Sequence, residues 1–276
     1  MRLAAVTDEF STDLAVALPA MRECGLTGVE LRTVGARNIV DLSDDELDRV
    51  REAVREFEVV SIASPLLKVV LPGAPPLDRR FEHDIFASGH TFDDQAWVAE
   101  RAINVALALG ARIIRVFSYW RTVHPPACFD AVVEALTWLV GLAAPHGLAI
   151  AIENEHACNV GTAEESAAVL KAVPGLQLIW DPANALVAGE SGGYAKLPKD
   201  RIIHVHAKDW HDGRWCELAT GDVGWPAQIA ALHANGYSGW ISLETHWRGP
   251  HNDKLEASRI CAPTLVSLVS GIERPV

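Results

Sequence analysis

The sequence predicts a single α/β domain, a (β/α)8 barrel spanning residues 1–276. Three observations lead there. Strand-like and helix-like segments alternate from end to end. The length of 276 residues is close to the roughly 250 typical of such a barrel. Four short segments, AIENEH (151–156), LIWDPAN (178–184), HVHAKD (204–209) and ISLETH (241–246), each run from an apolar, β-branched approach into residues that bind metal well. Their chemically loaded members are Glu153, Asp181, His206 and Glu244, spaced 28, 25 and 38 residues apart, one strand-plus-helix unit per step. Side chains on successive parallel strands converge on one point only if the strands curve around it.

Each element follows from local pattern. Residues 3–10 read as an apolar strand, followed by a helix over 13–24. GVELR (28–32) is a short strand, and 42–57 a helix with Ser43 at its N-cap and acidic residues in its first turn. VVSIASP (59–65) is strand three. Residues 66–92 form a proline-bearing connection of little periodicity, and long segments of that kind are usually lids or binding loops. A helix over 93–110 ends on a C-cap glycine, and RIIRVFS (112–118) is strand four. Residues 126–145 are apolar at helical spacing until Pro145-His146-Gly147 breaks them. Strands follow at 148–153, 176–181, 201–209 and 239–244, with helices at 162–173, 225–235 and 253–270. A doubly wound open sheet is the other arrangement of such units, but it would place a ligand at one switch point.

Strand side chains alternate in direction. Ile203, Val205 and Ala207 then form an outward set, while His204, His206 and Lys208 face the barrel. Likewise Ile241 and Leu243 go outward with Ser242, Glu244 and His246 inward, and Ile150 and Ile152 outward with Glu153 and Glu155 inward. Leu178 and Trp180 oppose Asp181, and Val29 and Leu31 oppose Glu30 and Arg32. The interior is thus charged toward the C-terminal ends of the strands, where barrels of this kind carry their active sites.

Three inward carboxylates and a histidine cannot share a dry pocket unaided, because like charges drive one another toward protonation and unpaired buried charge costs several kcal/mol. One divalent cation resolves this. Three oxygens and one nitrogen suit Mn²⁺, Mg²⁺ or Co²⁺, with Zn²⁺ a further option. A strand-end Asp can instead cap the next helix, and Lys208 with Asp209 can be a simple ion pair.

Composition narrows the partners. A formal net charge of -12 repels phosphate backbones, so nucleic acid is not expected. MRLAAVTDEF lacks the apolar run of a signal peptide, and no uncharged span of about 18 residues predicts a membrane crossing. Five scattered cysteines without a CxxC pair read as free thiols in a reducing cytoplasm. Trp120, Trp210, Trp215, Trp225 and Trp247 fall at or after strand ends, either as flat faces for a carbohydrate or as ordinary packing. Self-association into a homo-oligomer is left open.

From VTDEF and GVELR through ENEH, DPAN and HVHAKD to LETH, the chain resembles the sugar phosphate isomerase/epimerase superfamily, the xylose isomerase-like barrels. In ketose 3-epimerases of that superfamily one metal is held by Glu, Asp, His and Glu from strands five to eight. The resemblance implies Glu153, Asp181, His206 and Glu244 as ligands. It also implies Glu153 and Glu244 as the pair that removes and returns a proton beside a metal-polarised carbonyl. Arg32, Glu155, Asn184, His204 and Lys208 are implied as substrate contacts, with Arg115 a weaker candidate. Two positions depart from those epimerases. Asn184 stands where they carry His, and the nearest arginine after His206 is Arg214. The sequence is closer to a branch with DPAN and HxHxKD segments.

The implied function is a divalent-metal-dependent sugar, sugar phosphate or polyol isomerase or epimerase. A keto-inositol-type dehydratase is the alternative on the same first step. Apurinic endonucleases of the superfamily use three zinc ions and extra histidines. Strand three here ends SIASP and strand four RVFSYW. Asn184 replaces a further ligand, and no DxH pair is expected. A non-catalytic sugar-binding barrel has no need of two carboxylates on one metal.

Overall fold

A computed structural model describes residues 1–81, 83 and 88–271. Eight parallel strands close on themselves: β1 (Arg2–Val6), β2 (Gly28–Leu31), β3 (Glu58–Ile62), β4 (Ile113–Val116), β5 (Ala149–Glu153), β6 (Gln177–Trp180), β7 (Ile202–Ala207) and β8 (Trp240–Leu243). Each pairs with its neighbours in chain order, and β8 pairs back onto β1 with Arg2 opposite Trp240. The predicted barrel is therefore the observed one.

Helices wrap the outside and stop where their caps dictate. Ser43 and Glu46 form a reciprocal capping box on Asp44–Ala53, and Thr162 and Glu165 do the same for Ala163–Ala172. Gln95–Leu109 ends at Gly110, whose φ of 74° is left-handed, a conformation that costs glycine no Cβ clash. The helical run Pro125–His146 is long and apolar enough, by length and composition, to cross a membrane. Here its Val132, Leu136, Leu139 and Ala143 pack on the barrel.

Inside, the barrel has two layers. Its floor is an apolar plug of Ala4, Val60, Ile113, Ala151, Ile179 and Trp240. Gly28 makes room for it: a Cβ there would lie 2.6 Å from the Trp240 ring and 2.9 Å from the Ala4 Cβ. Above the plug lies a charged layer.

Three expectations are corrected. β1 stops at Val6, and Thr7–Phe10 turns into a short helix that brings Asp8 and Glu9 over the mouth. β7 stops at Ala207, and Asp209–His211 pairs instead with Arg214–Cys216 in a separate ribbon. Ile203 does not join the outward set. The β6–β7 register passes from Leu178↔Ile202 to Ile179↔His204, so Ile203 is the extra residue of a bulge and packs against the floor.

Candidate metal centre

The four predicted residues arrive together. Glu153 is the last residue of β5, Asp181 follows β6, His206 lies within β7 opposite Ser242, and Glu244 follows β8. One ligand atom from each lies within 4.8 Å of all the others. None is more than 1% exposed. Asp181 also caps the helix Pro182–Val187, its Oδ1 accepting from the Asn184 amide at 2.8 Å. Capping and convergence are thus not alternatives: one oxygen does each.

Cations surround the cluster. Lys208 Nζ is 2.9 Å from both Asp181 Oδ2 and Glu244 Oε2. Arg32 donates to Glu244 Oε1 at 2.6 Å and to Glu9 Oε1 at 2.5 Å, with Asp8 on its Nε. Arg115 Nη1 lies 3.3 Å from Glu153 Oε2. Burial alone would raise the carboxyl pKa values. For Glu244 the charges of Lys208 and His206 override it and hold the group well below the usual carboxylate range. For Glu153, His206 and Arg115 also win, despite Glu244. For Asp181 burial prevails and pushes its pKa to about 6, against Lys208. One carboxylate of the cluster is therefore the least willing to ionise, which is the situation a cation would relieve.

The donor set fits a divalent ion. Glu153 Oε2 and Asp181 Oδ2 are buried, each with an ion-pair contact, from Arg115 and Lys208, but with no aligned hydrogen bond among the described residues. His206 directs Nδ1 at Glu153 and Glu244, at 3.1 and 3.2 Å, and Nε2 at Glu30 Oε2, at 2.9 Å. A histidine that donates one ring N–H to a carboxylate offers the other nitrogen's lone pair to a metal. Glu30 is the residue sequence reading missed here. Alternation gave its inward direction but not its partners.

The predicted substrate contacts divide by depth. Arg32, Lys208, Glu155 and Asn184 border the cluster. His204 lies a layer deeper, with Nε2 3.0 Å from both Glu30 Oε2 and Ser242 Oγ. Asp209 is not the ion-pair partner of Lys208. It accepts from the amides of Trp210, Ala219, Gly221 and Val223, which leaves the loop at 220–225, where barrels often bind phosphate, few amides to offer one. Trp225 is core, fully buried and bonded to Lys208 O. The chain does contain a D-x-H triplet, Asp209-Trp210-His211, contrary to expectation. Asp209 is spent on those amides, and the exposed His211 pairs with Asp222, so the triplet stays outside the cluster. Among the described residues all five cysteines are free thiols.

Among the other mouth groups, Lys68 gave no warning in the sequence, whereas Trp215 stands just past a strand and His246 alternates inward. Lys68, in the long connection, lies 4.5 Å from the Phe117 ring and 3.9 Å from Glu155. The ribbon after β7 turns through Asp212 and Gly213, both at positive φ, and sets Trp215 5.2 Å from Lys208 Nζ. Leu67, Tyr119 and His246 take left-handed φ values of 62°, 60° and 53°, conformations that non-glycine residues adopt at a cost and that cluster at functional sites.

Comparison with known proteins adds context. Residues 18–261 match the family model of xylose isomerase-like TIM barrels. No curated protein matches the chain by sequence. Among solved structures, the IolI protein with a bound zinc atom is 19% identical, with a TM-score of 0.77 over 98% of this chain and 99% of that one. The probable 3-DHS dehydratase AsbF of Bacillus anthracis is 17% identical, with a TM-score of 0.72 over 94% and 97%. The 3-keto-D-glucoside 4-epimerase of E. coli is 16% identical, with a TM-score of 0.69 over 98% and 99%. At such identities the likeness speaks for the fold.

Proposed function

Because the chain belongs to the xylose isomerase-like TIM barrel family, we propose that it is a divalent-metal-dependent sugar or polyol isomerase or epimerase. It would act by removing a proton beside a substrate carbonyl. The observation that carries this reading is the buried convergence of Glu153, Asp181, His206 and Glu244 at the C-terminal ends of β5–β8. When bound there, Mn²⁺, Mg²⁺, Co²⁺ or Zn²⁺ would polarise the carbonyl and offset the negative charge that follows proton loss.

The chain's own residues supply the rest. Glu153 and Glu244 are the pair that takes the proton from carbon and returns it. Each such role is worth about 10²–10⁴-fold. Lys208 and Arg32 fix Glu244 through one oxygen each. Asn184 fixes Glu153, its Nδ2 3.2 Å from Oε1. Glu155, Arg115 and Lys208 offer charged contacts to substrate hydroxyls.

The alternative is a dehydratase, in which the same proton abstraction is followed by loss of a neighbouring hydroxyl. It is kept because a probable dehydratase is among the similar structures. The test is solvent-deuterium incorporation across ketoses, keto-inositols and their phosphates, with each of the four metals. Deuterium in recovered substrate or in an isomer supports the first reading, and an enone product supports the second. A protein that binds none of the metals and labels no substrate has neither activity.

A further inference from the structure

Asn184 also determines something about its other neighbour. Its Nδ2 is 3.2 Å from Glu153 Oε1 and 3.1 Å from Glu155 Oε2. Two carboxylate oxygens converge on this end of the amide, and a carboxylate accepts, so this end is the NH2. The other end, Oδ1, then faces His156 Nδ1 at 2.8 Å. An amide oxygen cannot donate, so the proton sits on Nδ1. Glu155 Oε1, 3.4 Å from the same nitrogen, is a second acceptor for it. Burial lowers the pKa of His156 more than Glu155 raises it, which favours the neutral ring. A neutral ring with Nδ1–H has a bare lone pair on Nε2.

The ring is held between Phe81, at 5.6 Å, and Trp215, at 5.8 Å. Its side chain is 17% exposed, whereas the cluster beneath it is shut in. No hydrogen bond to Nε2 forms among the described residues.

We infer that His156 is a substrate-positioning residue whose bare Nε2 accepts a hydrogen bond from a substrate hydroxyl. The substrate therefore carries a hydroxyl at that position, where the acceptor oxygens of a phosphate or carboxylate would meet a lone pair. This inference rests on the functional reading above for its polyol substrate.

The test is ¹⁵N NMR of histidine-labelled, Zn²⁺-loaded protein at neutral pH. We expect His156 in the Nδ1–H form, and a mixture of tautomers in Asn184→Leu. Titration with myo-inositol should move the Nε2 resonance, and inorganic phosphate should not. For any substrate that takes up deuterium, His156→Phe should raise KM about tenfold with kcat nearly unchanged. An Nε2–H ring, a response to phosphate alone, or no response to inositol would overturn the inference. Metal binding and deuterium uptake with an Nε2–H ring defeat the inference and spare the functional reading. The Nδ1–H form in a protein that binds no metal and exchanges no proton defeats the reading instead.

Discussion

The floor and the mouth of this barrel are built from the same eight strands, yet their chemistry is opposite. The floor is Ala4, Val60, Ile113, Ala151, Ile179 and Trp240, and it has nothing to ionise. Two to four residues further along the strands, the inward positions hold Glu30, Arg115, Glu153, His206 and Glu244, all but inaccessible to water. The floor gains free energy by close packing and tolerates little change of volume. The mouth holds charges that burial opposes and that only one another, or a cation, make acceptable. Stability is therefore concentrated below and chemistry above, and substitutions should separate the two.

The largest separation is expected at Glu244. Glu244→Gln keeps the shape and removes the proposed proton carrier, so turnover should fall about 10²–10⁴-fold while the near-UV circular dichroism stays native. Deuterium exchange at the wild-type rate would sink the assignment. Trp240→Ala is the converse. It should cost about 3–5 kcal/mol in urea unfolding, with kcat per folded molecule preserved. A loss of activity beyond the loss of folded protein would mean that the layers are coupled. Gly28→Val should be at least as damaging to folding, because the added atoms have no room beside Trp240.

Glu30 stands between the layers, and its effect should be intermediate. Glu30→Gln should weaken metal binding about 10–100-fold by loosening His206, read by titration calorimetry. Unchanged affinity would leave Glu30 a purely structural group. The smallest effect is the acid response. At Glu9, burial favours protonation, but His246, Arg32 and Lys254 prevail and set its pKa near 2. A group whose pKa is depressed in the folded state adds stability that is complete above its unfolded value, about 4.5. That contribution fades as pH falls toward 2. Stability should thus decline below about pH 4.5, and Glu9→Gln should flatten the decline. An identical slope in the variant would assign the acid sensitivity elsewhere.

The layering was legible in the sequence because period-2 alternation assigns directions. Glu30, Arg32, Glu153, Asp181, His206, Lys208 and Glu244 were all oriented correctly by it. It failed at Ile203, where a bulge inserts one residue and shifts the phase. It could not name partners: Glu30 was oriented but its bonds to both histidines were not foreseen. Nor could it place loop residues. Lys68 and Trp215 reach the mouth through left-handed turns at Leu67 and at Asp212-Gly213, which no periodicity encodes. The D-x-H triplet shows the reverse hazard. A motif can be present in the chain and spend its atoms on a local ribbon.

Arg32 has a consequence for the order in which the molecule can become competent. It lies just after β2 and ties Asp8 and Glu9, after β1, to Glu244, after β8. The first and last strands are hydrogen-bonded neighbours. A growing chain lays down Arg32 and its first two carboxylates early, and must wait until residue 244 for the last. Until β8 slots in beside β1, three of the four converging groups exist without their closing member. Metal retention would then report ring closure, and a pulse-labelled nascent chain should hold the ion only after its final strand has been synthesised and docked.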